Sequence, residues 1–214
     1  MTDAVVFDLD GVLLDSEQVW DEVREQLVRE RGARWHEGAQ REMMGMSSVE
    51  WSRYMHDELG VPDPPDAISA QVVRRLEQRY RTQVPLIDGA REALERLAAR
   101  WPLGLASSSN REVIDLVLEL SGLAQFFRVT VSSEEVARGK PEPDVYLEAA
   151  RRLEVPPDGC VAIEDSENGI RAAKAAGIRV VAIPNPHYRP GNEALALADV
   201  RLDSLAELTP STVA

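Results

Sequence analysis

Ala4-Val5-Val6-Phe7-Asp8-Leu9-Asp10-Gly11 is a short apolar run broken by two aspartates and a glycine. An uninterrupted run of this length reads as a strand buried on both faces. Similar runs recur at Leu103-Gly104-Leu105-Ala106, Val129-Thr130-Val131, Val161-Ala162-Ile163 and Val180-Val181-Ala182-Ile183. Patterns of helical period lie between them. Ser109-Asn110-Arg111-Glu112 reads as a capping box, Val113, Leu116, Val117 and Leu120 supply an apolar stripe, and Gly122 is the stop. A further helix is expected from about Asn168 to Ala176, ended by Gly177. Apolar runs alternating with helices imply right-handed βαβ crossovers, so the predicted fold class is α/β, a Rossmann-like parallel sheet flanked by helices. Such sheets bind ligands at the carboxyl ends of their strands.

Working outward, the stretch from about Ser16 to Val84 breaks the alternation and offers only helical patterns, such as Trp20, Val23 and Leu27, or Val72, Leu76 and Tyr80. Gly60-Val61-Pro62 and Pro64-Pro65 separate its helices, and Val84-Pro85 with Asp88-Gly89 mark the return to the sheet. Residues 16–85 are therefore expected to form a helical insert, with 1–15 and 86–214 as the α/β core. An insert that enters directly after the first strand sits above the strand ends, where it can act as a lid.

Of 214 residues, 44% are hydrophobic, enough for a buried core plus a small second unit. Cys160 is the single cysteine, which rules out an intrachain disulfide. No apolar run approaches the ~20 residues that span a bilayer, and no secretory leader is legible, so a cytoplasmic protein without a membrane partner is expected. A formal net charge of −13 argues against nucleic acid, because backbone binding needs clustered cations. The expected assembly is a monomer or weak homodimer. Only Lys140 and Lys174 are lysines.

Polar residues stand at the end of the apolar runs: Asp8 and Asp10 after the first, Ser107 after the second, Glu164 and Asp165 after the fourth. Lys140 joins them in Gly139-Lys140-Pro141, ahead of a helix that can begin near Pro143. If the strand ends converge, four carboxylates share one pocket. Each like-charged pair at ~4 Å costs about 4 kcal/mol at an effective dielectric near 20, so cations must compensate. Carboxylate, carbonyl and water oxygens suit Mg²⁺, and no Cys or His stands at ligand spacing for zinc. Mg²⁺ in turn implies a phosphate ester. Along an extended Asp8-Leu9-Asp10 both aspartates face one side, and Gly11 lets the chain turn. One carboxylate can attack while the other transfers a proton.

Asp8-Leu9-Asp10-Gly11-Val12-Leu13-Leu14-Asp15-Ser16, Ser107, Gly139-Lys140-Pro141-Glu142-Pro143-Asp144 and Ile163-Glu164-Asp165-Ser166-Glu167-Asn168-Gly169 together resemble the four ordered motifs of the haloacid dehalogenase-like (HAD-like) superfamily, most closely its β-phosphoglucomutase-like and sugar-phosphate phosphatase branch. The resemblance implies a HAD-like core with a small α-helical cap at the insert. It implies Asp8 as nucleophile, Asp10 as general acid and base, Ser107 as a donor to a phosphoryl oxygen, and Lys140 as a neutralising cation. Mg²⁺ would be held by Asp8, the Asp10 carbonyl and Asp165, with Glu164 ligating directly or through water. Backbone N–H groups at Leu9, Asp10 and Ser108 would complete an anion cradle. Gly45-Met46-Ser47-Ser48 matches the cap loop that contacts substrate, making Ser47 and Ser48 candidates, and Asn110 and Arg111 could reach a distal substrate group.

Trp20, Trp35, Trp51, Met43, Met44 and Met46 could line a substrate pocket, but a small helical lid needs large apolar residues for its own core, which is the expected role of most of them. His36, His56 and His187 form no site-like spacing. Dehalogenases of the superfamily lack the second aspartate and the metal, and phosphonate hydrolysis uses a cap lysine that residues 16–84 do not contain. Mutases of this branch carry a basic residue near Ser48 and a histidine where Trp20 stands. Without a cationic cap group to hold a second phosphate, water is the expected acceptor. The expectation is thus a Mg²⁺-dependent phosphatase acting on a small phosphate ester, a sugar or polyol phosphate, through an aspartyl-phosphate. A phosphosugar mutase and a non-catalytic phosphate-binding module are the alternatives.

Overall fold

The computed structural model describes residues 2–185 and 187–214. In chain order, β1 (Ala4–Phe7) leads into α1 (Glu17–Glu30), α2 (Ala39–Met43), α3 (Ser48–Asp57) and α4 (Pro65–Thr82). Then follow α5 (Ala90–Ala98), β2 (Leu103–Ser107), α6 (Arg111–Ser121), β3 (Phe127–Ser132) and α7 (Asp144–Leu153). The chain ends with β4 (Cys160–Glu164), α8 (Glu167–Ala175), β5 (Arg179–Ala182), α9 (Asn192–Leu197), β6 (Val200–Arg201) and α10 (Pro210–Val213). Among the described residues the six strands form one sheet in the order β3-β2-β1-β4-β5-β6, every pairing parallel.

Alternation along each strand divides the core between two faces. Val5 and Phe7, with Leu105 and Ile163, pack on one face against Leu94 and Leu97 of α5 and Val113 and Val117 of α6. Ala4 and Val6, with Ala106 and Ala162, meet Tyr146 and Ala149 of α7 and Ile170 of α8 on the other. Burial on both sides is why the strands read as unbroken apolar runs. β6 escaped that reading, because two residues carry no periodicity. It is set instead by tertiary pairing: Asp199 accepts Val180 N–H on Oδ2 at 2.7 Å and donates its own N–H to Val180 O at 2.9 Å. Lys174 pairs with that same aspartate at 2.9 Å.

α1 to α4 pack on one another around Leu27, Trp51, Met55, Ile68, Val72, Leu76 and Tyr80, all buried. Each such side chain contributes about 2 kcal/mol of apolar burial. The two chain passages joining this helical unit to the sheet run side by side, Asp15 N–H to Pro85 O at 2.8 Å and Ile87 N–H to Leu13 O at 3.0 Å. No helix of the described residues is long and apolar enough to cross a membrane.

One local reading is corrected. The expected capping box at Ser109 does not form: the residue before α6 is Asn110, with no side-chain cap. Arg111 N–H is instead taken by Glu134 Oε2 at 2.8 Å, from beyond β3. A carboxylate brought by the tertiary fold replaces the local cap and frees Ser109 for other work. A capping box does form at Ser47 and Glu50, at the head of α3.

Candidate active site

Register places the carboxylates. Phe7 is level with Ile163 in β4, and Asp8 N–H donates to Ile163 O at 3.0 Å, so Asp8 and Glu164 leave adjacent strand ends together. Lys140 Nζ lies 2.9 Å from Asp8 Oδ1 and 2.6 Å from Glu164 Oε1. Tyr146 O–H donates to Glu164 Oε1 at 2.7 Å, and its ring lies 5.0 Å below the Lys140 ammonium. The second oxygen of Glu164 accepts the N–H groups of Asp165 and Ser166 at 3.0 and 3.2 Å. Glu164 thus fixes both the lysine and the turn that carries Asp165. Gly11 (φ 77°) turns the chain beside that turn; a Cβ there would stand 2.0 Å from Asp165 Oδ2, so only glycine fits.

Asp8, Glu164 and Asp165 each offer a carboxylate oxygen within 4.8 Å of the others. Both oxygens of Asp165 are buried with no hydrogen-bond partner. Burial, then the neighbouring carboxylates Glu164 and Asp10, push Asp8 up to about 8 against the pull of Lys140. Burial together with Glu164 and Asp8 holds Asp165 well above the ordinary carboxylate range. For Lys140, burial acts downward but is outweighed by Asp8 and Glu164, which leaves it firmly protonated. Hard oxygen donors with unmet acceptor capacity fit a divalent cation of the Mg²⁺ type, which would supply the missing countercharge.

Asp10 accepts three hydrogen bonds: from Ser16 Oγ, from Trp20 Nε1 at 3.1 Å and from Ser109 Oγ at 2.6 Å. The two aspartates therefore face one cavity, as alternation predicts, with Leu9 buried behind them. The far wall of that cavity is helical: Glu17, Trp20 and Arg24 of α1, Met43, Met44, Gly45, Met46 and Trp51. Trp20, Met43 and Trp51 belong to the buried core and, with Met44 and Met46, also line the cavity; Trp35 packs on the core without lining it. One expectation is corrected: the insert does present a cation here, since Arg24 faces the same space. Glu17 and Arg24 were missed, although both occupy the Glu17, Trp20, Arg24, Leu27 stripe that α1 buries. Charged residues on an otherwise apolar helix face were the available signal. Burial, and then Asp10, raise Glu17 to about 7, and burial lowers Arg24 to about 10.

Among the other predicted residues, Ser108 alone lines the cavity. Ser107 is fully buried at the end of β2, its Oγ accepting Ser109 N–H at 3.0 Å, while Ser108 and Ser109 line the cavity. Ser47 caps α3. Ser48 Oγ and Asn110 Nδ2 both donate to Glu134 Oε1, at 2.7 and 2.8 Å, and Arg111 pairs with Glu135 at 3.1 Å. The Ser48 contact, together with Asn168 Nδ2 to Met44 O and Ser108 Oγ to Gly45 O, both 2.8 Å, ties the insert's loop down onto the strand ends. His36 and His56 meet Tyr54 and the Val61 carbonyl, away from the cavity.

A sequence profile of haloacid dehalogenase-like hydrolases matches residues 5–183. Hexitol phosphatase B of Escherichia coli K12 is 34% identical over 210 residues, covering 96% of this chain and 94% of its own. A phosphorylated carbohydrates phosphatase of Thermotoga maritima is 34% identical over 178 residues, 82% of each chain. The crystal structure of CbbY from Rhodobacter sphaeroides in complex with phosphate superposes with a TM-score of 0.87 at 29% identity, covering 100% of this chain and 99% of that one.

Proposed function

The chain belongs to the haloacid dehalogenase-like hydrolases, and on that premise we propose that it is a phosphatase that splits a sugar or polyol phosphate through an aspartyl-phosphate on Asp8. Within that reading, residues 1–15 and 86–214 are the catalytic core and 16–85 the cap. The observation that carries it is the pairing of Asp8 with Lys140 at 2.9 Å beside the two partnerless oxygens of Asp165.

Asp8 Oδ attacks phosphorus while Asp10 gives a proton to the departing alkoxide; Asp10 then takes a proton from the water that splits the acyl phosphate, releasing inorganic phosphate. Ser16, Trp20 and Ser109 hold Asp10 in the orientation both proton transfers need. Lys140 offsets negative charge between Asp8 and the phosphoryl group, and the N–H groups of Leu9, Asp10 and Ser108 cradle its oxygens, with Ser107 behind them. Mg²⁺ would be held by Asp8, Asp165 and the Asp10 carbonyl, with Glu164 reached through water because Lys140, Tyr146 and the 165–166 amides engage its oxygens. When bound, it adds positive charge where the transferring group is most negative. The cavity measures about 40 Å³, room for roughly three water-sized groups. The cap must therefore lift to admit a metabolite ester and close again to exclude water.

Turnover of p-nitrophenyl phosphate and of a panel of metabolite phosphates, with Mg²⁺ and with EDTA, tests this reading. Metal-dependent phosphate release is expected, and its absence across the panel would overturn it. The mutase alternative predicts glucose 6-phosphate formed from β-glucose 1-phosphate and its bisphosphate faster than free phosphate.

A further inference from the structure

Arg24 is the least satisfied cation near the site. Its guanidinium carries five donors, of which Nη1 reaches Gln40 Oε1 at 3.2 Å and Nε is buried with no partner. No carboxylate among the described residues lies within ion-pair distance of it. It stands in the corner between two indoles, 4.5 Å from the Trp20 ring and 4.8 Å from Trp51, which hold its plane in place. Gln40 is buried and spends its other end on Glu17, Nε2 to Oε2 at 2.9 Å. One amide therefore sets a donor group and an acceptor group side by side on the cavity wall opposite Asp8.

Such a pair discriminates by chemistry. A hydroxyl both donates and accepts, so neighbouring hydroxyls satisfy Arg24 and Glu17 together. A carboxylate or second phosphate has acceptors only; it would suit Arg24 but set a charge against Glu17 and Asp10. We propose that Arg24 and Glu17, spaced by Gln40, read neighbouring hydroxyls on the leaving group, and that Arg24 is the specificity-determining residue for neutral polyhydroxylated phosphates. This rests on the phosphatase reading above.

The test compares kcat/KM for a hexitol 6-phosphate with that for hexyl phosphate, which has the same length and no hydroxyls. The wild-type enzyme should favour the hexitol ester about 100-fold, because buried polar groups left unpaired penalise the bare chain. In Arg24→Met that ratio should fall to about 10 or less. Should that variant fail to fold, Arg24→Lys, which keeps the charge and loses the guanidinium fork, should lower the same ratio several-fold, and an unchanged ratio there would overturn the proposal. A wild-type ratio near one, a full ratio retained in Arg24→Met, or preference for 6-phosphogluconate or a hexose bisphosphate over the neutral ester would each overturn the proposal. If no ester is hydrolysed at all, the phosphatase reading falls and this one with it; turnover with an unchanged ratio sinks this one alone.

Discussion

The cavity has two walls built on different plans. On the sheet side, Asp8, Glu164 and Asp165 hang from strand ends whose spacing is set by backbone pairing, and their positions follow from register. On the helical side, Glu17, Trp20, Arg24 and Trp51 are placed by side-chain contacts within a small unit that meets the core through apolar packing, α4 against α6, and a few hydrogen bonds. The first wall is rigid because β1 and β4, which carry these carboxylates, lie buried in the middle of a six-stranded parallel sheet and cannot shift alone. In the proposed reading the second lifts and closes, so chemistry sits on the rigid wall, where an error of an ångström is costly, and selectivity on the wall that moves.

Substitutions on each wall should behave accordingly. Asp8→Asn should lower turnover at least about 10⁴-fold with the circular dichroism spectrum kept, since the attacking oxygen is lost and the volume retained; near-normal turnover would break the division. Asp165→Asn should cut activity by roughly 10²-fold or more and weaken the response to Mg²⁺. The same change should stabilise the protein in EDTA by about 1–3 kcal/mol, because a buried, unpaired carboxylate becomes neutral. Melting curves with EDTA and with Mg²⁺ check both signs.

On the cap wall, Glu17 offers a pH signature. Burial and then Asp10 raise it from 4.5 to about 7, so the folded state keeps its proton where the unfolded chain has released it. Its stabilising share is present below pH 4.5 and is lost as pH rises to 7. The stability of Glu17→Gln relative to wild type should therefore climb by about 3 kcal/mol across that window and stay level beyond it. Urea titrations at pH 4.5, 6 and 8 measure the climb, and a flat difference would mean that Glu17 is better solvated than its surroundings allow. Smallest of all, Asn168→Ala and Ser48→Ala each remove one tie between cap loop and core. Each should raise KM a few-fold with kcat little changed, about 1 kcal/mol or less; a larger loss in kcat would show that the ties shape the chemistry as well as closure.

Legibility divided along the same line. Asp8, Asp10, Lys140, Glu164 and Asp165 stood out as polar residues punctuating apolar runs, and the sheet brings them together. Glu112, three residues on, makes Ser109 read as a cap, yet Glu134 supplies the N-terminal acceptor from beyond β3 and Ser109 turns to Asp10. Ser48 and Asn110, candidates for substrate, both donate to Glu134. Arg24 belongs to no motif, and only its place on the apolar face of α1 marks it.

What the amino-acid order determined alone is the parallel sheet, the run of helices that follows its first strand and the set of side chains at the strand ends, because period and punctuation are local and backbone pairing carries them into space. What only the tertiary structure decided is the second partner of each polar group: which carboxylate caps α6, which serine holds Asp10, and which helix face turns a guanidinium toward the cavity. Those choices depend on distances between segments far apart in the chain, and no local pattern records them.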